Sequence, residues 1–326
     1  MPADFAFLAA RRRFDAPAPL RLWHLTSLDA PTVAVVWTLA FAWAAGVRLP
    51  AWIPTLLALA AWAVYIADRL LDARSAFRRG QVDGLRERHH FHHRHRRVLI
   101  PISVLAACAA AWIVFTLMPN PARERDSLLA CAALAYFTRV HAAALQPAAE
   151  KHASRAAKRR GFQVVTPRLF RPRLFKPRLF KPLLFKKELL VGVLFTAACA
   201  LPALGRVWTP QSPFPLPLLA VALVLALLAW LNCYAIDRWE ALAGSSHTGI
   251  AARAGLLALV AAVPALLFAA QHPRLAAMLA LAAASSLLLA LLDRLRPRLT
   301  PLALRALADL VLLTPIFLLA PALPRP

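Results

Sequence analysis

Asp68 and Asp72 stand four residues apart at the close of a long apolar run, in Tyr65-Ile66-Ala67-Asp68-Arg69-Leu70-Leu71-Asp72. On a helix that spacing stacks both carboxylates on one face, about 6 Å from each other. Two like charges at the mouth of a membrane helix repel unless a cation sits between them, and an all-oxygen pair suits a hard ion such as Mg2+. A second acidic patch closes a later apolar run, in Asn232-Cys233-Tyr234-Ala235-Ile236-Asp237-Arg238-Trp239-Glu240. Asp237 and Glu240 are three apart and again share a face. Taken alone, either patch also reads as an ordinary acidic helix end, with Asp68 and Asp72 paired to Arg69, Arg74 or a neighbouring loop.

The elements that would position these patches follow from composition. With 60% hydrophobic side chains in 326 residues and a mean hydropathy of +0.59, the chain is too apolar for a soluble protein of its size. Nine apolar segments approach the ~20 residues that cross a bilayer. They cover residues 30–47, 51–71, 98–117, 127–146, 188–205, 214–236, 250–270, 273–292 and 301–321. Ala and Leu dominate them and no ten-residue alternation suggests a barrel, so the fold class is all-α, a polytopic membrane bundle of about nine transmembrane helices. Residues 1–29 form an N-terminal cytoplasmic segment without a cleavable signal, and 30–321 one transmembrane domain with a low-complexity cytoplasmic loop at 147–187. With the N-terminus inside, all 39 Lys and Arg except Arg48, Arg123, Arg125, Arg206, Arg274 and Arg325 fall on the inner side. Both acidic patches then lie at that same surface. The net charge of +24 is explained by this topology, not by nucleic acid, because the basic residues alternate with spanning stretches instead of covering one face.

Ala67-Asp68-Arg69-Leu70-Leu71-Asp72 resembles the first aspartate-rich motif of the UbiA-type intramembrane prenyltransferases. The stretch from Asn232 to Glu240 is similar to their second, with Asn232, Asp237 and Glu240 where that motif carries more aspartates. Ser27-Leu28-Asp29-Ala30-Pro31 resembles the approach to the family's first helix, and Val64 stands where the family has Asn or Asp. The resemblance extends over about residues 20–320. It implies an integral membrane prenyltransferase, in a bacterial inner membrane, moving an isoprenoid group from a prenyl diphosphate to a lipophilic, usually aromatic, acceptor. Asp68, Asp72, Asp237 and Glu240 would hold Mg2+, with Asn232 as a neutral oxygen ligand. Arg69, Lys186 and Lys187 would meet the diphosphate, and Tyr234 would shelter the allylic cation with its ring face. Catalysis would be electrostatic and Lewis-acid, steadying the departing diphosphate. The alternative is a non-catalytic membrane protein of the same fold that binds an isoprenoid or other lipid. A transporter fits less well, since the acids sit at helix ends and no hydropathy repeat is evident.

Five further features carry expectations. The histidines between Arg88 and Arg97 read as part of a basic loop near anionic headgroups, or as a metal cluster opposed by the intervening arginines. The pentapeptide repeat from Pro167 to Lys186 has proline every fifth residue, which forbids a continuous helix, and reads as an extended insertion. Cys108, Cys131, Cys199 and Cys233 each fall within apolar runs without metal-ligand spacing and read as buried small residues. Thr300-Pro301 predicts an N-cap with proline in the first turn. Arg305 and Asp309, inside the ninth segment, read either as a mutual pair or as the lining of a polar interior.

Overall fold

The structure, a computed structural model, describes residues 13–78, 86–145, 187–208, 216–241 and 248–319. Lys186 and the pentapeptide repeat lie outside the described residues. Among those residues the chain is all-helical, with one isolated bridge between Phe14 and Leu299. The helices are α1 (Ala18–Leu25), α2 (Asp29–Ala44), α3 (Trp52–Arg78), α4 (Glu87–Arg94), α5 (Arg96–Thr116), α6 (Asn120–Leu145), α7 (Lys187–Val207), α8 (Leu216–Ala241), α9 (Ile250–Phe268), α10 (Pro273–Leu295), α11 (Pro301–Leu310) and α12 (Ile316–Leu319).

Six of these, α3, α5, α7, α8, α9 and α10, are long and apolar enough to cross a membrane, and α1 with α2 would add a seventh as a span bent by 90°. The protein is therefore an integral membrane bundle. The expected count of nine is not reproduced among the described residues, for two reasons. The fourth segment, 127–146, runs past the described residues, and the part of α6 ahead of it carries Arg123, Glu124, Arg125 and Asp126. The ninth is broken: α11 tightens into a 3-10 turn at Val311–Leu313 ahead of Pro315, which lacks an amide hydrogen and crowds the carbonyl four residues back.

α2 sits at the centre, against α3, α7, α10, α11 and α12. Trp37, Ala40 and Phe41 are fully buried, and the indole of Trp37 donates to the carbonyl of Leu312 at 2.9 Å. A helix apolar all round can be covered on every side without leaving polar groups stranded, and the hydroxyl of Thr38 is satisfied by its own helix at the Ala34 carbonyl. The outward apolar surface lies elsewhere: Leu105, Trp112 and Phe115 on α5, Leu128 and Leu134 on α6, and Leu256, Leu266 and Leu267 on α9 are all exposed. That is the pattern of side chains facing lipid. Of the cysteines only Cys199 is buried; Cys108 and Cys131 are exposed on α5 and α6, where small apolar side chains suit lipid as well as a core.

The bend between α1 and α2 positions the site. Ser27 takes a left-handed conformation at φ 57°, and the chain there is tied on both sides: Trp62 of α3 donates to the Thr26 carbonyl and Trp23 to the Thr32 hydroxyl. Asp29, expected just ahead of the first span, is instead the first residue of α2 and fully buried. Its negative charge at a helix N-terminus is favoured by the exposed amides of that turn, and Oδ1 accepts from the Ala30 amide.

Candidate anion and metal site

A cavity of about 1310 Å³ opens among α1, α4, α8, α11 and the ends of α9 and α10. Six arginines face it: Arg13, Arg86, Arg88, Arg294, Arg296 and Arg305. Its four carboxylates are all engaged. Asp15 accepts from Thr300, Glu87 from Arg21, and Asp293 from Trp239, Thr248 and the Ala251 amide. Glu240 is shared between Arg86 and Arg305. Thr300 caps α11 as its sequence predicts, accepting from the Ala303 amide at 3.2 Å.

Arg88 takes no part in this pairing. It is buried against the cavity, 7% exposed, and its Nη1 has no hydrogen-bond partner. Burial and the neighbouring guanidiniums of Arg69, Arg305 and Arg86 push it down to about 8, against which Glu240 is a lesser pull. The short helix α4 holds it there: Arg88 and His92, four apart, are its two buried positions. His92 Nδ1 lies 2.7 Å from the Arg88 carbonyl, so it carries the proton, and Nε2 accepts from the Ser27 hydroxyl. Burial drives His92 down to about 4, consistent with a neutral ring. The other imidazoles of this stretch do not converge: His93 stacks on Phe77 and His95 lies against Phe91. The metal cluster considered for this run is not formed among the described residues.

Behind the cavity wall, Arg69 is 4% exposed, sits over the Tyr65 ring at 4.7 Å, and has an unpartnered Nε. It lies within electrostatic reach of Asp29, Asp68 and Asp309. Beside it, His24 Nδ1 donates to Asp29 Oδ2 at 2.7 Å and stands 3.8 Å from Asp309 Oδ2. Asn232 Nδ2 donates to Asp309 Oδ1 at 3.1 Å.

The residues expected to form one Mg2+ centre are not gathered at one point. Asp68 accepts from His141 of α6 at 2.9 Å, and Asp72 is exposed one turn further along α3; neither lines the cavity. Asp237 is exposed and Glu240 turns to two arginines. The reason is packing: α3 lies on α2, α4, α5 and α6, whereas α8 lies on α7, α9, α10 and α11. The donor set for Mg2+ on the two acidic patches therefore does not fit. Among the described residues, His24, Asp29 and Asp309 alone bring three metal-competent side chains together. The Arg305–Asp309 pair is likewise absent, Arg305 bonding Glu240 and Asp309 bonding Asn232. Tyr234 has Arg238 and Arg253 over its ring at 5.6 and 5.2 Å, leaving its face to guanidiniums. Lys187 begins α7.

His24, Arg88 and His92 were not singled out by sequence reasoning as site residues. The signal available for the last two was their i, i+4 spacing, which places both on one face if the basic loop is helical. Comparison of the chain with protein-family models, curated proteins and solved structures finds no match.

Proposed function

We propose that this integral membrane protein takes the phosphate or diphosphate head of a lipid-soluble molecule into the arginine-lined cavity, a prenyl diphosphate being the ligand that the sequence resemblance names. The observation that carries this reading is Arg88: a buried guanidinium, facing a cavity, whose near neighbours are other guanidiniums. A buried charge without a partner is costly, and a bound anion supplies the partner. Six guanidiniums face the cavity against four carboxylates, each of them already bonded, which leaves a net positive charge for an anion to meet. The apolar tail of such a ligand suits the bundle's surroundings.

Prenyl transfer is the enzymatic form of this reading: the allylic carbon–oxygen bond breaks, diphosphate leaves with the electron pair, and an acceptor carbon bonds the allylic carbon and loses a proton. Retention without transfer is favoured by exposed Asp237 and by Asp68 being bonded to His141. Purified protein in lipid nanodiscs, incubated with labelled prenyl diphosphates and aromatic acceptors with and without Mg2+, separates the two. Saturable binding with product supports the transferase, and saturable binding without product supports the lipid binder. No saturable binding of any prenyl diphosphate or of inorganic diphosphate overturns the proposal.

A further inference from the structure

Asp29 is buried and Asp309 partly buried, and both lie within electrostatic reach of Arg69, yet among the described residues neither has an arginine or lysine nitrogen within ion-pair distance. Asp29 and Asp309 stand close enough to hydrogen-bond each other, and two carboxylates at that distance repel unless a proton or a cation is held between them. Among the described residues the basic group in contact with them is His24, whose Nδ1 lies 2.7 and 3.8 Å from the two carboxylates. All three ligand atoms fall within 4.8 Å of one another. On a six-coordinate ion with bonds of about 2.1 Å, ligand atoms are separated by roughly 3 to 4.2 Å, and these distances are close to that range.

A separate observation points to the same place. Asn232 is 4% exposed, its amide nitrogen contacts Asp309, and its carbonyl oxygen is buried with no hydrogen-bond partner. A buried amide oxygen without a donor is a cost, and oxygen and nitrogen exchange places by a half turn of the amide. With a cation at the cluster, that turn gives the ion a fourth protein ligand and satisfies the orphaned oxygen.

We propose that His24, Asp29, Asp309 and Asn232 hold one divalent first-row metal ion. One imidazole nitrogen with oxygen ligands suits ions such as Mn2+, Co2+ or Zn2+. These ligands come from α1, α2, α8 and α11, so the site closes only because the chain bends at Ser27 and brings the last turn of α1 over the first of α2. His24 also lines the arginine cavity, which sets the ion beside any anion bound there. The metal site stands on its own residues and does not depend on the anion reading.

The test uses the full chain in detergent, stripped of metal, with Mn2+ alone and no phosphate. Loss of the free Mn2+ paramagnetic resonance signal should titrate to one equivalent, and electron spin echo modulation should show one histidine nitrogen. His24→Gln should abolish the nitrogen modulation, and Asp309→Asn should weaken binding at least roughly 100-fold, since even outer-shell losses reach that range. Asn232→Asp adds a charged oxygen ligand and should tighten binding on the order of tenfold, a gain that misfolding cannot mimic. Absence of saturable Mn2+ binding by the parent chain overturns the site, as does nitrogen modulation that survives His24→Gln or affinity unchanged in both Asp309→Asn and Asn232→Asp. Mn2+ binding without phosphate or diphosphate binding would retain the metal site and remove the anion reading.

Discussion

Replacing Arg88 with methionine should make the protein more stable when no anion is present and deaf to anions when they are. The side chain is buried, its Nη1 is unpartnered, and its Nε makes one long contact of 3.5 Å to His89, so little bonding is lost. Its displacement to about 8 corresponds to roughly 6 kcal/mol at about 1.36 kcal/mol per unit, an upper bound because water in the cavity screens part of the charge. Methionine keeps most of the buried stem, and apolar replacement of poorly compensated buried charge stabilises by about 1–4 kcal/mol. The parent should gain about 2.7 kcal/mol from an anion at one hundred times its dissociation constant, and Arg88→Met should gain close to none. Unfolding in nanodiscs, with and without inorganic diphosphate, reads both numbers. A loss of about 3–5 kcal/mol in the anion-free Arg88→Met protein would refute the reasoning, because that is the cost of breaking a buried pair and would make Arg88 a partnered structural ion.

Asp237→Asn and Asp68→Asn should leave stabilisation by diphosphate within about twofold in affinity, since neither lines the cavity; an abolished response in thermal-shift titration would restore the two-patch site. Gly192→Ala should destabilise by about 1–3 kcal/mol in chemical unfolding, because the added Cβ meets backbone of α8, the Ala226 carbonyl at 2.8 Å and the Trp230 amide at 2.9 Å, which cannot step aside. His92, held down at about 4 by burial, binds fewer protons folded than unfolded. Its contribution is complete above about pH 6.5 and falls away as the pH drops towards 4, by at most about 3 kcal/mol; His92→Gln should flatten that slope in pH-dependent unfolding.

Spanning helices were legible because each is a long apolar run with its own boundaries, and the Thr300-Pro301 cap was legible because its chemistry is local. The candidate site was not. Asp29 looked like a loop residue ahead of a span, and nothing local announces that Ser27 turns the chain through a right angle and buries that carboxylate under His24. Arg88 and His92 sat within a run of like residues whose composition says basic loop; only the helix of α4, docked by the Ser27 hydroxyl, divides the run into buried and exposed faces. Asp68 and Asp72 do share a helix face, but spacing along one helix does not say which helix lies opposite. Here that helix is α6, through His141, and not α8. Asp309 was marked as facing the interior by its depth in an apolar segment, while its partner, Asn232, lies 77 residues away in sequence.

The central helix has a consequence for the order in which the chain can be completed. α2 leaves the ribosome before α7, α11 and α12, yet it packs against all three, and its tryptophan bonds a carbonyl 275 residues later. Until the final segments are made, residues 29–44 must wait in the lipid with their eventual neighbours missing. An apolar helix whose two hydroxyls, of Thr32 and Thr38, are already satisfied by local carbonyls can do so at little cost beyond the unpaired Trp37 indole. Closure of the interior is then a late event, made by α11 and α12 arriving on a surface laid down before them, and a chain ended before Leu312 would carry the six described spanning helices and still lack the piece that seals them.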